Sequence, residues 1–476
     1  MMAPLPRRRT LRKTFYAAIA SVLTVSVVVA AVPGFPFTED FTDTGLRDAA
    51  LTTADWDTTA PGTLGLGMAE SITNVGATHA ELGDGLDGQH DSRGIVLADF
   101  DADGDIDAAV PNLGDVNLLY LANGTTFDTA PVALGPDNAN SYSMAAGDLD
   151  LDGDIDIVAA NSLSASMIYV NDGAAGFTQQ AVNTDSRRYW AILLVDVDND
   201  GDLDIVQSAW NRGDLRNRIA YNSAADTGSL EFTQGFPLGQ TEFDSRALAA
   251  GDVNSDGWVD IVVGNHDDGN GVAIENYLYL GDGSGGFLAP TAIQSGEAWF
   301  TFAVQLADLD GDGDLDLIEG NHPDAADTGG ETRVYPNDGS GNFGTAVLLP
   351  GSMPHHKTVA LLTLDFDRDG DIDILEGNNN AETLNGTVPQ PKRLFLNNGG
   401  ATFPTVIDFT PPEVERTYGL AAADLNNDGL LDFAAGNQMY DAGGAITPEG
   451  HNSAYDLSGT LSGTSYVQLR SEVVST

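Results

Sequence analysis

The chain has no cysteine among its 476 residues and only three lysines. Without thiols there is no disulfide framework, no thiolate metal site and no cysteine nucleophile. Lys and Arg total 20 against 71 Asp and Glu, a formal charge of −51. Phosphate backbones need a clustered basic face, so nucleic acid is excluded as a partner. After residue 34 no apolar run is long enough to cross a bilayer as a helix. G-x-S-x-G, H-E-x-x-H and Walker loops are missing, and the seven histidines are scattered. Disorder does not follow, because 42% of residues are hydrophobic and only 19% are charged. The acids are therefore concentrated in a few places.

Residues 1–34 read as an export signal. The basic stretch RRRTLRK precedes an apolar run from Phe15 to Val32, with Ala30 and Ala31 near its end and Pro33-Gly34 after it. That run of 18 residues also fits a retained anchor, so any membrane contact is expected only through an uncleaved leader. The arginine pairs loosely resemble a twin-arginine signal. Removal of the leader leaves 15 cations against 71 acids, a charge of −56. The expected location is secreted, extracellular or at the cell surface.

An acidic nonapeptide recurs seven times after residue 98. Its copies are DFDADGDID, DLDLDGDID, DVDNDGDLD, DVNSDGWVD, DLDGDGDLD, DFDRDGDID and DLNNDGLLD, starting at Asp99, Asp148, Asp196, Asp252, Asp308, Asp365 and Asp424. The mean period is about 54 residues, which suits a four-stranded propeller blade. Short apolar runs flank each copy: WAILLVD or TVALLTLD before it, DIVVGN or DLIEGN after it. A third run then ends in turn chemistry such as VNDGAAGF or PNDGSGNF. The expected fold class is all-β: a seven-bladed β-propeller over residues 86–476, with an acidic loop between the first and second strand of each blade. Residues 35–85 carry no acidic loop and are expected to form an N-terminal β segment or part of the ring closure. The seventh repeat is irregular after Asn437, so its outer strands must come from 453–475, from the N-terminal segment, or from both.

The spacing D-x-D-x-D-G-x-x-D puts oxygens at positions 1, 3, 5 and 9 of a tight loop, hard multi-oxygen chemistry that suits Ca²⁺. Glycine at position 6 permits the positive φ the loop needs. The candidate metal-binding residues are Asp99, Asp101, Asp103, Asp105 and Asp107; Asp148, Asp150, Asp152, Asp154 and Asp156; and Asp196, Asp198, Asp200, Asp202 and Asp204. The fourth loop offers Asp252, Asn254, Asp256, Trp258 and Asp260, and the fifth Asp308, Asp310, Asp312, Asp314 and Asp316. The sixth offers Asp365, Asp367, Asp369, Asp371 and Asp373, and the seventh Asp424, Asn426, Asp428, Leu430 and Asp432. Trp258 and Leu430 occupy position 7, so a side chain is dispensable there and the backbone carbonyl is the expected donor. Asn254 and Asn426 remove a carboxylate, and loops four and seven are expected to bind more weakly. Up to seven Ca²⁺ are implied. Glu319 and Glu376 complete an EF-hand spacing, but the short β-branched flanks exclude the helices that motif needs.

These loops resemble FG-GAP/VCBS repeats, the type found in integrin α-subunit propellers and in many bacterial surface proteins. The resemblance spans about residues 90–445. It implies calcium-binding loops on the propeller face opposite the usual ligand site, and it leaves the ligand open. Two patterns mark that other face. Asn falls five residues after the last loop Asp in six repeats, at Asn112, Asn161, Asn265, Asn321, Asn378 and Asn437. Such a residue either bonds its own turn or reads a polar ligand. Longer loops follow it in repeats three to six, carrying Trp210, Arg212, His266, Asp267, Asp268, His322, Asp324, Asn379 and Asn380. Arg93, Arg187, Arg188, Arg246, Lys357 and Arg416 lie six to nine residues before a loop start, beside Trp190, Trp299, Phe300, His355, His356 and Tyr418. Those cations either pair between blades or form a locally basic, aromatic mouth. The candidate ligand residues are Arg188, Trp190, Trp210, His266, Trp299, His322, His355, His356 and Arg416.

No catalytic residue is assigned. The expected function is binding, as an adhesion or recognition module for a glycan or protein. The alternative is a polysaccharide lyase or hydrolase acting on anionic glycans at the same face. The loops hold 31 of the 71 acids, and seven Ca²⁺ would bring −56 to −42. The remaining excess hints at a saline environment.

Overall fold

The structure is a computed structural model. It describes residues 75–77, 80–82, 452–455, 467–469 and 91–439, within the last span excepting 124–126, 128–129, 137–138, 183–186, 211–213, 234–235, 240–241, 324–327, 353–354, 380, 384–385, 389, 410–414 and 426–430. The expected leader falls outside the described residues, as does most of 35–85. No described helix is long and apolar enough to cross a membrane.

The protein is an all-β propeller. Six of its blades are four-stranded antiparallel sheets, and a seventh sheet has five strands. We number these sheets by the acidic loop each carries. Sheet one comprises Val96–Ala98, Asp107–Val110, Leu118–Tyr120 and Val132–Ala133. Sheet two runs through Ala139–Gly147, Asp156–Asn161, Met167–Asn171 and Phe177–Ala181, and Leu113–Asp115 pairs on its inner edge. Sheet three is Tyr189–Val195, Asp204–Ala209, Arg218–Ala220 and Phe236–Pro237. Sheets four and five repeat the plan from Asp244–Gly251 and Phe300–Ala307, and sheet six from Thr358–Leu364. Sheet seven joins Glu415–Ala423 and Asp432–Met439 to Asn452–Tyr455, and its outer strand is Ala80–Leu82 from the N-terminal side.

Burial on both faces explains the packing. The second strands Asp156–Asn161, Asp204–Ala209 and Asp373–Asn378 are buried at every position, with apolar residues at their centres and polar ones mainly toward their ends. Their side chains meet those of the next sheet. Ala109, Leu119, Met144, Ile157 and Tyr169 fill the seam between sheets one and two. Ile95, Val110, Ala423, Leu425 and Ala434 fill the seam between sheets one and seven. Each fully buried Leu, Ile or Val contributes about 1.5–3 kcal/mol. Close approach at these seams explains the recurrent Gly-Asn pair. A Cβ on Gly320 would stand 2.7 Å from the Thr358 methyl of the next sheet, and one on Gly377 2.7 Å from that of Thr417.

Polar ties fasten the seams at both ends. At the acidic end, the Asn that opens the third-strand turn reaches the neighbouring sheet. Asn171 Nδ2 donates to Phe100 O, Asn222 to Leu149 O, Asn337 to Val253 O and Asn397 to Leu309 O, all at 2.7–2.8 Å. Each acceptor is position 2 of the preceding sheet's acidic loop. At the other end, Asn117 Nδ2 donates to Ser141 Oγ, Asn217 to Ser245 Oγ and Asn276 to Thr301 Oγ1.

Candidate functional site

The two ends of the sheets carry different chemistry. The acidic loops connect first to second strand and share one geometry. Position 1 accepts the position-6 N–H: Gly104 to Asp99, Gly153 to Asp148, Gly201 to Asp196, Gly257 to Asp252, Gly313 to Asp308 and Gly370 to Asp365, at 2.8–3.1 Å. Glycine is required there by φ rather than by crowding: Gly104, Gly153 and Gly201 lie at +98° to +100°, with open space where a Cβ would stand. Position 4 is also left-handed, and mostly without glycine: Ala102, Leu151, Asn199, Ser255 and Arg368 have φ of 58–62°. Position 7 turns toward its own sheet. Trp258 packs over Gly283, and Asp154, Asp314 and Asp371 lie beside Gly173, Gly339 and Gly399.

The position-9 carboxylates are buried, as is Asp202 at position 7 of the third loop. Asp107 accepts the N–H of Phe100 at 2.8 Å and of Ala122 at 2.7 Å, and Asp156, Asp204, Asp260, Asp316 and Asp373 repeat this pair of bonds. Burial pushes Asp373 up to about 8, Asp107 and Asp204 to about 7, and Asp156, Asp260 and Asp316 to about 6, against the opposing pull of those N–H bonds.

The donor set suits a hard cation. Asp99, Asp101 and Asp107 bring one oxygen each within 4.8 Å of one another, as do Asp148, Asp150 and Asp156, Asp196, Asp198 and Asp204, and Asp308, Asp310 and Asp312. Asp148, Asp198, Asp202 and Asp365 each keep a buried Oδ1 with no hydrogen-bond partner. Like charges this close, with orphaned oxygens, are the arrangement a divalent ion relieves. Asn426, Asp428 and Leu430 lie outside the described residues.

At the opposite end the inner strands converge on a hub. In sheets two to seven the pairing with the second strand shifts register near the strand start, and the skipped residues include Tyr142, Trp190, Arg246, Phe302, Val359 and Tyr418. A bulge re-aims a side chain out of the ladder. Arg93 is the counterpart in sheet one, one residue past the Ser92–Asn112 bridge. These side chains meet across sheets. The Arg93 guanidinium lies 4.4 Å from the Tyr418 ring and 5.7 Å from Tyr142, and Tyr142 is 4.8 Å from Trp190. Arg246 lies 4.2 Å from Trp190, 4.9 Å from Trp210 and 5.1 Å from Phe302. Trp190 and Phe302, from sheets three and five, approach to 5.9 Å.

The candidate ligand residues divide accordingly. Trp190, Trp210, His266 and His322 join the hub, His266 and His322 each within 5.2 Å of Phe302, and Arg188 lies 5.7 Å from Trp210. Trp299 instead sits under Arg333 at 3.8 Å. His355 and His356 pack on each other at 5.7 Å. The Arg416 side chain is outside the described residues, as are Arg212, Asp324 and Asn380. Burial pushes His322 down to about 3, so its ring is neutral at pH 7, and burial also lowers His266. Asp244, His266 and Asp267 also cluster, but Asp244 is held by Arg246 at 2.6 Å and Asp267 by His266 at 2.8 Å.

The Asn pattern is structural at its five described side chains. Asn112, Asn161, Asn265, Asn321 and Asn378 each accept from the Ser or Thr before the bulge and donate into their own turn. None of these amides is left to read a ligand. In sheet three Ala209 replaces the Asn, and Tyr189 replaces the hydroxyl partner. Tyr142 and Phe302 escaped sequence reasoning. Their signal was an offset: Arg93, Tyr142, Trp190, Arg246, Phe302, Val359 and Tyr418 all stand six residues before an acidic loop.

Fold and loops together define a repeat-built β-propeller with an acidic end and an aromatic end. An FG-GAP-like repeat model matches residues 99–159, 148–206, 252–318 and 377–435. The chain is an FG-GAP repeat β-propeller. Among curated proteins, no relative matches it. Among solved structures, the BP39L lectin from Burkholderia pseudomallei aligns at 14% identity and TM-score 0.51, over 76% of this chain and 98% of that one. A lectin from Agrocybe aegerita, described as recognising non-reducing terminal N-acetylglucosamine, aligns at 19% identity and TM-score 0.47, over 77% of this chain and 84% of that one. At such identities the likeness concerns the fold.

Proposed function

We propose that this protein is an exported recognition module: a seven-bladed propeller whose acidic loops hold Ca²⁺ and whose opposite end binds a glycan or a protein. The five-stranded sheet counts as the seventh blade in this reading, with Leu113–Asp115 as an added edge strand. The observation that carries the binding role is the hub, where aromatic rings from sheets two, three, five and seven gather with Arg93 and Arg246 at one end of the ring. Rings of this kind stack on sugar faces and anchor protein side chains. The lectin that shares the fold supplies a precedent for the scaffold only.

In the loops, positions 1, 3, 5 and 9 would hold the ion, and position 9 would use lone pairs left over from its two backbone bonds. The ion supplies charge neutralisation and rigidity. Two measurements test the proposal. Ca²⁺ should raise the melting temperature and EDTA should reverse it; a melting temperature indifferent to both sinks the calcium assignment. A glycan array should give hits that Trp190→Ala abolishes. Hits that survive that substitution, or silence on both glycan and protein arrays, would refute the hub as the binding face.

A further inference from the structure

The reading of the hub as a glycan-binding face leaves the charge of the glycan open. Beside the hub, sheet three builds a cluster that stands out in so acidic a chain. Asp214, in the connection between its second and third strands, accepts from Arg187 Nη2 at 2.8 Å, Arg216 Nε at 2.7 Å, Arg216 Nη2 at 2.6 Å and Arg218 Nη2 at 2.9 Å. Arg216 also lies 3.7 Å from Glu242. Three guanidiniums thus converge on the one Asp214 carboxylate, and Arg188 is the next residue after Arg187. The hydrogen bond from Arg216, before any other cause, holds the Asp214 carboxyl well below the usual carboxylate range.

Arg216 has N–H groups beyond those that bond Asp214. Each guanidinium carries five N–H groups in a fixed fork, and Asp214 uses two from Arg216. The Arg216 side chain is 31% exposed. Arg188, next in sequence to Arg187, has its guanidinium over Trp210, and Trp210 stands 5.2 Å from Trp190. The Trp210 indole Nε1 is buried without a hydrogen-bond partner. Long-range repulsion does not forbid an anion here. The acidic loop lies at the far end of the seven-residue strand Tyr189–Val195. That is about 20 Å away, roughly two screening lengths at 0.1 M salt.

We propose that the arginines around Asp214 form a subsite for an anionic group on a glycan, a carboxylate or a sulfate ester, whose sugar ring rests on the Trp190 and Trp210 side of the hub. Asp214 orients the forks, and Arg216 supplies the exposed contact. The inference rests on the glycan reading of the hub and narrows it to acidic sugars.

Calorimetric titration of the full chain at 0.15 M salt tests it, with three probes: trigalacturonate, its methyl triester, and a sulfated galactose trisaccharide. Expected are binding of at least one charged probe about tenfold tighter than the ester, and loss of that tenfold in Arg216→Gln with the ester's affinity unchanged. The charged probe that binds identifies the anionic group. Equal affinity for charged and esterified sugars, or an unchanged affinity in Arg216→Gln, overturns the subsite while leaving the hub reading intact. Failure of all three probes overturns the subsite too, and the neutral glycans of the array then judge the hub. Because Arg216 is partly exposed, circular dichroism and melting of Arg216→Gln should match the parent, which separates lost contact from lost fold.

Discussion

The inter-sheet amide of Asn397 offers the sharpest test of how this ring is held. Its Nδ2 donates to Leu309 O of sheet five at 2.7 Å and to Ile372 O of its own sheet at 3.0 Å. Its Oδ1 accepts the N–H of Asn398 at 3.0 Å and of Thr402 at 3.2 Å. The residue is 3% exposed. Asn397→Ala removes all four bonds. Leu309 O keeps the N–H of Ala401 at 3.0 Å, so only part of the desolvation penalty falls there. A net loss of about 2–3 kcal/mol is expected from buried groups left short of partners. Unfolding entropy of roughly 2 cal/mol/K per residue makes that about 2–3 °C in melting temperature for a chain this long. The exposed neighbour change Asn398→Ala is the control, and calorimetry is the assay.

Asn397→Asp makes the test decisive. Asp is nearly isosteric and forms turns well, but it would aim a carboxylate at two carbonyls. If the donor bonds matter, Asp is worse than Ala. A melting temperature for Asn397→Asp close to the parent, or an Asn397→Ala shift no larger than that of Asn398→Ala, would refute the clamp.

Two further perturbations address the loops and the buried acids. Leu151 sits at φ 62° and is 47% exposed, so Leu151→Gly should stabilise by about 1 kcal/mol by relieving left-handed strain; a destabilised variant in thermal melts would contradict the geometry. Glu319 is buried with Asn276 Nδ2 donating to its Oε1 at 2.6 Å, and burial raises its pKa above the ordinary 4.5. The stability tied to its proton is intact below that ordinary value and drains away as pH climbs through the raised native one. Glu319→Gln should therefore flatten this pH dependence and be the more stable form at pH 8 in saturating Ca²⁺, which denaturant titrations at several pH values would check. Gln207 occupies the equivalent site in sheet three.

Much of this protein was legible in its sequence because repetition multiplies weak signals. One D-x-D-x-D-G-x-x-D loop is only a turn rich in acid. Seven copies at a mean period of about 54 residues, each between short apolar runs, specify a propeller sheet and where its loop falls, because strand period and turn chemistry are local properties. Even the exception in sheet three, Ala209, is matched locally by Tyr189 in the partnering strand. Glycine at position 6 was readable for the same reason: its φ is a demand of the loop alone.

Other features exist only once distant strands meet. The hub depends on register shifts that lift Tyr142, Trp190, Arg246 and Phe302 out of their ladders, and a shift is set by the pairing of two strands. A Trp, an Arg or a Lys stands near the inner strand start in every sheet but the second; only the closed arrangement brought the Trp190 and Phe302 rings of sheets three and five within 5.9 Å of each other. Likewise the Asn of each turn reads as turn chemistry, and its second role as a clamp requires the neighbouring sheet's carbonyl to arrive. The sequence thus determined the repeating unit and its acidic loop, since these follow from short-range backbone preferences. The tertiary structure decided which side chains share the axis and which bind the seams, since those contacts join residues tens to more than a hundred positions apart.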